Sequence, residues 1–123
     1  MTWEEALVDI KKSISKGLKL DKLSNYGRPV MDVPPYLCTT YDYDNEVGYK
    51  VRIGSDTYIE IPISMLKNCY ETSKGNGGVY KTGIIYSLYP KQLTDHGGYV
   101  HVVGNIFEIS GLAKKVKGGY VLR

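Results

Sequence analysis

The sequence predicts an α+β fold: an N-terminal helix and a small antiparallel β-meander packed on a helical unit that ends in a β-hairpin. Three observations predict it. Apolar residues recur three or four apart at the N-terminus and again beyond Pro62, the period of an amphipathic helix. Between these stretches, Tyr49-Lys50-Val51-Arg52-Ile53 and Thr57-Tyr58-Ile59-Glu60-Ile61 alternate apolar and polar, the period of a half-buried strand. Near the C-terminus, Gly118-Gly119 separates two short β-forming arms, Lys114 to Lys117 and Tyr120 to Arg123. The 123 residues suit one domain, residues 1–123. Within it, residues 1–61 would hold the first helix and the meander, and residues 62–123 the helical unit.

Each element has a local reason. Residues 2–16 read as a helix because Thr2 and Glu5 make a capping box, and Trp3, Leu7, Ile10 and Ile14 share one face. Gly17 stops it, and Trp3 is a core anchor. Residues 18–35 are irregular, broken by Asn25-Tyr26-Gly27 and by Pro29, Pro34 and Pro35. Residues 36–43 have high β-propensity, and Asp44, Asn45, Glu46 and Gly48 are turn formers. A helix is expected over 62–73, with Pro62 in its first turn and a stop at the glycine-rich 75–78. A shorter helix, 82–89, would be capped by Thr82 and ended by Pro90.

Composition narrows the function. Twelve tyrosines stand against one phenylalanine. Tyrosine has a broad apolar body and a polar tip, which places these residues at the rim of a small core. No apolar run reaches the roughly 20 residues of a membrane span. Glu4, Glu5 and Asp9 are wrong for a secretory leader, so a cytoplasmic location is expected. Cys38 and Cys69 lack a paired spacing and read as buried free thiols. The net charge of +3 is unevenly held, with −2 over residues 1–63 and +5 over 64–123. A basic half is what a phosphate-binding surface requires.

Residues 95–112, DHGGYVHVVGNIFEISGL, hold both histidines. His96 and His101 are five apart, which does not set two metal ligands on one helix face, so no metal or other cofactor is expected. Asp95 and His96 could join Ser87 or Ser110 in a catalytic set, but the G-x-S-x-G turn is missing. Gly97-Gly98 fits no nucleotide-loop motif, although glycines at a helix start leave N–H groups open to an anion. The β-branched run 99–103 could be a strand. The wider spacing of Tyr99, Val102, Val103, Ile106 and Phe107 favours a helix over 97–112, with Asp95 as its cap. Gly104 costs that helix about 1 kcal/mol relative to alanine. Its outward residues would be His96, His101, Asn105 and Glu108.

The order helix, short helix, turn, longer helix and β-hairpin over 62–123 resembles a winged helix-turn-helix domain. That resemblance implies a recognition helix at 97–112 and a two-stranded wing. It implies a non-enzymatic nucleic-acid-binding module, with DNA the first partner to consider. His96, His101 and Asn105 would face a groove, and Lys81, Lys91, Lys114, Lys115 and Lys117 would neutralise phosphates. The candidate helix carries no lysine or arginine, a departure from strong DNA readers. A second expectation is a protein-binding regulator or inhibitor of a nucleic-acid-processing machine. It would use the aromatic–acidic patch Tyr41, Asp42, Tyr43, Asp44 and Glu46. A third is a small hydrolase or ligand-binding protein centred on the two histidines.

Overall fold

The chain was analysed as a computed structural model that describes residues 1–22 and 26–123; Asn25 of the anticipated 25–27 turn lies outside the described residues. The fold is α+β. Helix α1 (Trp3–Ser13) begins at the anticipated capping box. The Glu5 amide donates to Thr2 Oγ1 at 3.2 Å, and the Thr2 amide donates to Glu5 Oε1 at 2.9 Å. Trp3, Ala6 and Ile10 are buried on one face, as the spacing requires.

The first sheet is built on β3 (Glu46–Arg52), which pairs antiparallel with β1 (Val30–Asp32), β2 (Leu37–Cys38) and β4 (Tyr58–Pro62). Only Leu37 and Cys38 of the β-prone stretch 36–43 pair as strand, because the chain then turns back over the sheet. Glu46 and Gly48 are strand residues rather than turn formers. Gly48 is needed for close approach: a Cβ there would lie 2.7 Å from Pro62 Cα and 2.8 Å from Cys38 Sγ. The alternation of β4 also fails at one position. Glu60 is buried, because residues 36–40 cover that face. Its carboxylate accepts from Tyr36 Oη, from the Thr39 and Thr40 amides at 2.8 Å each, and from Thr40 Oγ1 at 2.7 Å.

Helix α2 (Ile63–Gly75) follows β4 directly, with Pro62 closing the strand and standing at the cap position. Proline has no capping side chain, and Glu46 supplies the missing acceptor. Its carboxylate takes the Ser64 amide at 2.6 Å and Ser64 Oγ at 2.8 Å, and a carboxylate also suits the positive end of the helix. A short strand, β5 (Val79–Tyr80), and helix α3 (Thr82–Leu88) come next. Thr82 is the first helical residue, not the cap; Lys81 holds that place without a side-chain bond. Pro90 starts a further helix, α4 (Pro90–Asp95), instead of a turn. Proline at the first helical position loses no intrahelical bond and arrives with a helical φ. Helix α5 (Tyr99–Ile109) is capped by Gly98, while Asp95 ends α4 and accepts from Tyr41 Oη at 2.9 Å. The hairpin, β6 (Ala113–Val116) and β7 (Gly119–Leu122), lies where anticipated. β5 adds to it, giving an antiparallel sheet in the order β5-β7-β6.

All elements meet one core. Within it, rings run from Trp3 to Tyr70 (5.8 Å between centroids), Phe107 (6.0 Å), Tyr80 (5.6 Å) and Tyr120 (5.9 Å). This corrects the placement of the tyrosines: Tyr49, Tyr70, Tyr80 and Tyr99 are core side chains, not a rim. The phenols are partly satisfied inside, as where Tyr80 Oη donates to the Val100 carbonyl at 2.9 Å. Gly104 is the contact that seats β7 on α5. A Cβ there would fall 2.7 Å from Tyr120 Cδ1 and closer to Cε1 and Cζ. That ring is buried beside Tyr80 and has little room to move.

Two stability predictions follow from these contacts. Gly104→Ala should lower stability by about 1–3 kcal/mol in urea unfolding, although helix propensity alone favours alanine by about 1 kcal/mol. An unchanged or raised midpoint would remove the Tyr120 contact as its explanation. Burial by itself would raise the Glu60 carboxyl, but the four bonds outweigh it and hold the group below its ordinary value. A depressed folded-state value means the stabilisation is complete above the unfolded-state value of about 4.3 and is lost as pH falls through the folded one. Glu60→Gln should cost about 2–3 kcal/mol at neutral pH. Unfolding curves at stepped pH should show the difference from the parent shrinking in acid.

Candidate functional site

Helix α5 is not an exposed reading helix. Tyr99, Val100 and the whole run from Val102 to Phe107 are buried, and only His101, Glu108 and Ile109 stay exposed. The cause is tertiary: α1 and α4 as well as β6 and β7 pack against it. Asn105, expected to face outward, is 7% exposed. Its Nδ2 reaches Tyr120 Oη at a long 3.5 Å, and its Oδ1 is buried with no partner among the described residues. The open helix start is occupied as well, since the Tyr99 and Val100 amides donate to the carbonyls of His96 and Gly97.

Two clefts flank the exposed end of α5. The first, of about 220 Å³, lies between the start of α3 and the hairpin, with Lys81, Thr82, His101, Lys115 and Tyr120 among its walls. The second, of about 500 Å³, lies between the hairpin and residues 20–22 and 28. His101, Asn105, Glu108, Lys115 and Tyr120 meet Leu20, Asp21, Lys22 and Arg28 there. His101 and Lys115 belong to both, so one surface carries Lys81, His101, Lys115, Lys22 and Arg28 in succession. Burial lowers the affinity of His101 for a proton, and the positive Arg28 and Lys115 lower it further, against a smaller opposing effect of Asp21. Asp21 also pairs with Arg28 at 3.5 Å.

The anticipated nucleic-acid residues are thus only partly brought together. Lys81, His101 and Lys115 share the site, and Asn105 lies beneath it. Lys114 and Lys117 are exposed near it on the hairpin and line neither cleft; along a strand, Lys114 points away from the face that Lys115 shares with Ala113. Lys91 lines a separate cleft of about 480 Å³ with Tyr41 and Asp42, its Nζ 5.8 Å from the Tyr41 ring centre. His96 is half-buried beside the Tyr99 ring, 6.5 Å away, and lines neither basic cleft. Sequence reasoning missed Lys22 and Arg28. They stand about 85 to 91 residues before the hairpin, so no local pattern joins them to it.

The aromatic–acidic patch is only partly a surface. Tyr43 is buried, with its hydroxyl 3.2 Å from Tyr99 Oη and accepting from Gln92 Nε2 at 3.3 Å. Glu46 caps α2, which leaves Tyr41 half-exposed and Asp42 and Asp44 exposed. A histidine-centred catalytic set is not assembled. Ser87 Oγ donates to its own helix at Ile84 O, Ser110 Oγ is buried, and Asp95 is engaged by Tyr41. Cys38 and Cys69 are buried free thiols, each pushed up to about 12 by burial above all. Among the described residues, no three His, Cys, Asp or Glu side chains converge as a metal ion would need, and no helix is long and apolar enough to cross a membrane.

Comparison with protein-family models, curated proteins and solved structures finds no match to this chain.

The electrostatics of the site can be read directly. The His101 imidazole should titrate below the ordinary histidine value of about 6.5 in an NMR pH series. Lys115→Ala, which removes one nearby positive charge, should move that midpoint upward. A midpoint at the ordinary value, indifferent to Lys115, would count against the packing of these groups around α5.

Proposed function

We propose that this chain is a nucleic-acid-binding module that holds phosphates on the surface between α5, the hairpin and residues 20–22 and 28. The observation that carries this reading is the convergence of Lys81, Lys115, Lys22 and Arg28, from three separate parts of the chain, on the two clefts that share His101. Lysine and arginine neutralise backbone charge and release counterions, which gives affinity without sequence selection. Arg28 adds a planar donor fork suited to phosphate oxygens, and Lys114 and Lys117 extend the charge along the hairpin.

The element order α2-β5-α3-α4-α5-β6-β7 and the sheet order β5-β7-β6 support the resemblance to a winged helix-turn-helix domain. The use of that fold differs here. A helix packed by α1, α4 and the hairpin cannot enter a major groove, so α5 serves as a platform and its surroundings make the contacts. The patch proposed for a protein partner loses Tyr43 and Glu46 to internal bonds, which favours the basic surface over it.

Fluorescence anisotropy with a labelled single DNA strand should show binding that weakens about fiftyfold between about 50 and about 200 mM salt, as four phosphate contacts require. Lys115→Ala and Arg28→Ala should each reduce the slope of log affinity against log salt by about 0.7. Absence of binding at the lower salt would overturn the reading.

A further inference from the structure

We infer that the larger cleft takes an unpaired base, so that the module favours single-stranded over duplex nucleic acid; the inference rests on the nucleic-acid reading above. The first observation is depth. Lys22, Lys115 and His101 are exposed at the rim, whereas Asn105, Leu20 and Tyr120 are buried at the floor. A base edge inside a duplex is read by side chains that protrude into a groove, and Asn105 does not protrude. A base that reaches it must leave its stack and enter the cleft.

The second observation is the unsatisfied amide. Among the described residues, Asn105 Oδ1 is buried without a partner, and Nδ2 has only its 3.5 Å bond to Tyr120. A buried acceptor left open is uncommon, because water or protein normally fills it. The terminal torsion of asparagine is soft, so the amide can turn toward an entering edge. An amide pairs one acceptor and one donor. It matches an unpaired base edge that sets a donor beside an acceptor, such as the amino group and ring nitrogen of adenine or the N3–H and carbonyl oxygen of thymine, and it finds nothing to pair at an abasic position.

The third observation is fit. About 500 Å³ lies within the range of small-ligand sites. Leu20 and the edge of Tyr120 offer apolar contact to a base, while Lys22, Arg28 and Lys115 lie where its flanking phosphates would pass. Asp21 and Glu108 bring negative charge to the same cleft. Asp21 pairs with Arg28 and offsets part of its charge, and Glu108 is exposed to solvent, so Lys22 and Lys115 are the cations of the rim that no ion pair engages among the described residues.

The test compares four labelled DNA probes with the full chain: a short oligo-deoxyadenylate, an oligo-thymidylate, an abasic strand of equal length and a duplex. Oligo-deoxyadenylate and oligo-thymidylate should each bind about tenfold more tightly than the abasic strand and the duplex. Asn105→Leu, which keeps the shape of the side chain, should bring both affinities down to that of the abasic strand. An abasic strand or duplex that binds as tightly as the base-bearing strands would overturn the inference and leave the nucleic-acid reading standing. Binding of none would overturn both. A folded Asn105→Leu variant that keeps the preference for base-bearing strands would also overturn the inference, and if that variant unfolds, the comparison of probes on the parent chain decides.

Discussion

The seat of Tyr120 on Gly104 is the contact on which the rest of the molecule depends. Only a glycine lets the ring lie against the α5 backbone, and that ring continues through Tyr80, Phe107 and Tyr70 to Trp3. The chain of aromatics joins the hairpin to α5, α5 to α2, and α2 to the N-terminal helix. A residue that weakens an isolated helix is therefore what allows the second sheet to join the common core. It also sets the depth of the larger cleft, because Tyr120 and Asn105 form its floor together.

The first sheet is held by charge rather than by rings. Glu60 gathers the Tyr36 hydroxyl, two backbone amides and the Thr40 hydroxyl, and so folds residues 36–40 back over β4. A buried carboxylate is costly unless every lone pair is used, and here the partners are close. Glu46 performs the complementary task at the start of α2, where Pro62 has no side chain that can cap. Both acids looked like solvent-facing or loop residues in sequence, yet each joins separate elements. The cost is borne by the anticipated acidic patch, which loses Glu46 to a cap.

Embedding α5 changes what a winged-helix-like order can do. With the helix packed by α1, α4 and the hairpin, the proposed binding surface is the clefts at its exposed edge. The cations there come from residues 22 and 28, the end of β5 and the hairpin, so their arrangement depends on how these parts pack around α5. His101 sits between the two clefts, and its lowered proton affinity reflects burial together with the neighbouring Arg28 and Lys115.

What the sequence determined by itself is local. The capping box at Thr2 and Glu5, the alternation in β3, the helical period of α5 and the turn at Gly118-Gly119 each rest on neighbours a few residues apart, and each element formed. Two-residue strands such as β5 carry too little pattern to find, and Pro90 reads equally as a helix end or a first helical residue. Tertiary structure alone decided which polar residues lie inside, because burial depends on what packs on top. Glu60 is buried by residues 36–40, Asn105 beside Tyr120 of the hairpin, and Tyr43 by Tyr99 and Gln92. It also decided the candidate site, since Lys22 and Arg28 meet Lys115 across a distance in sequence that no period spans.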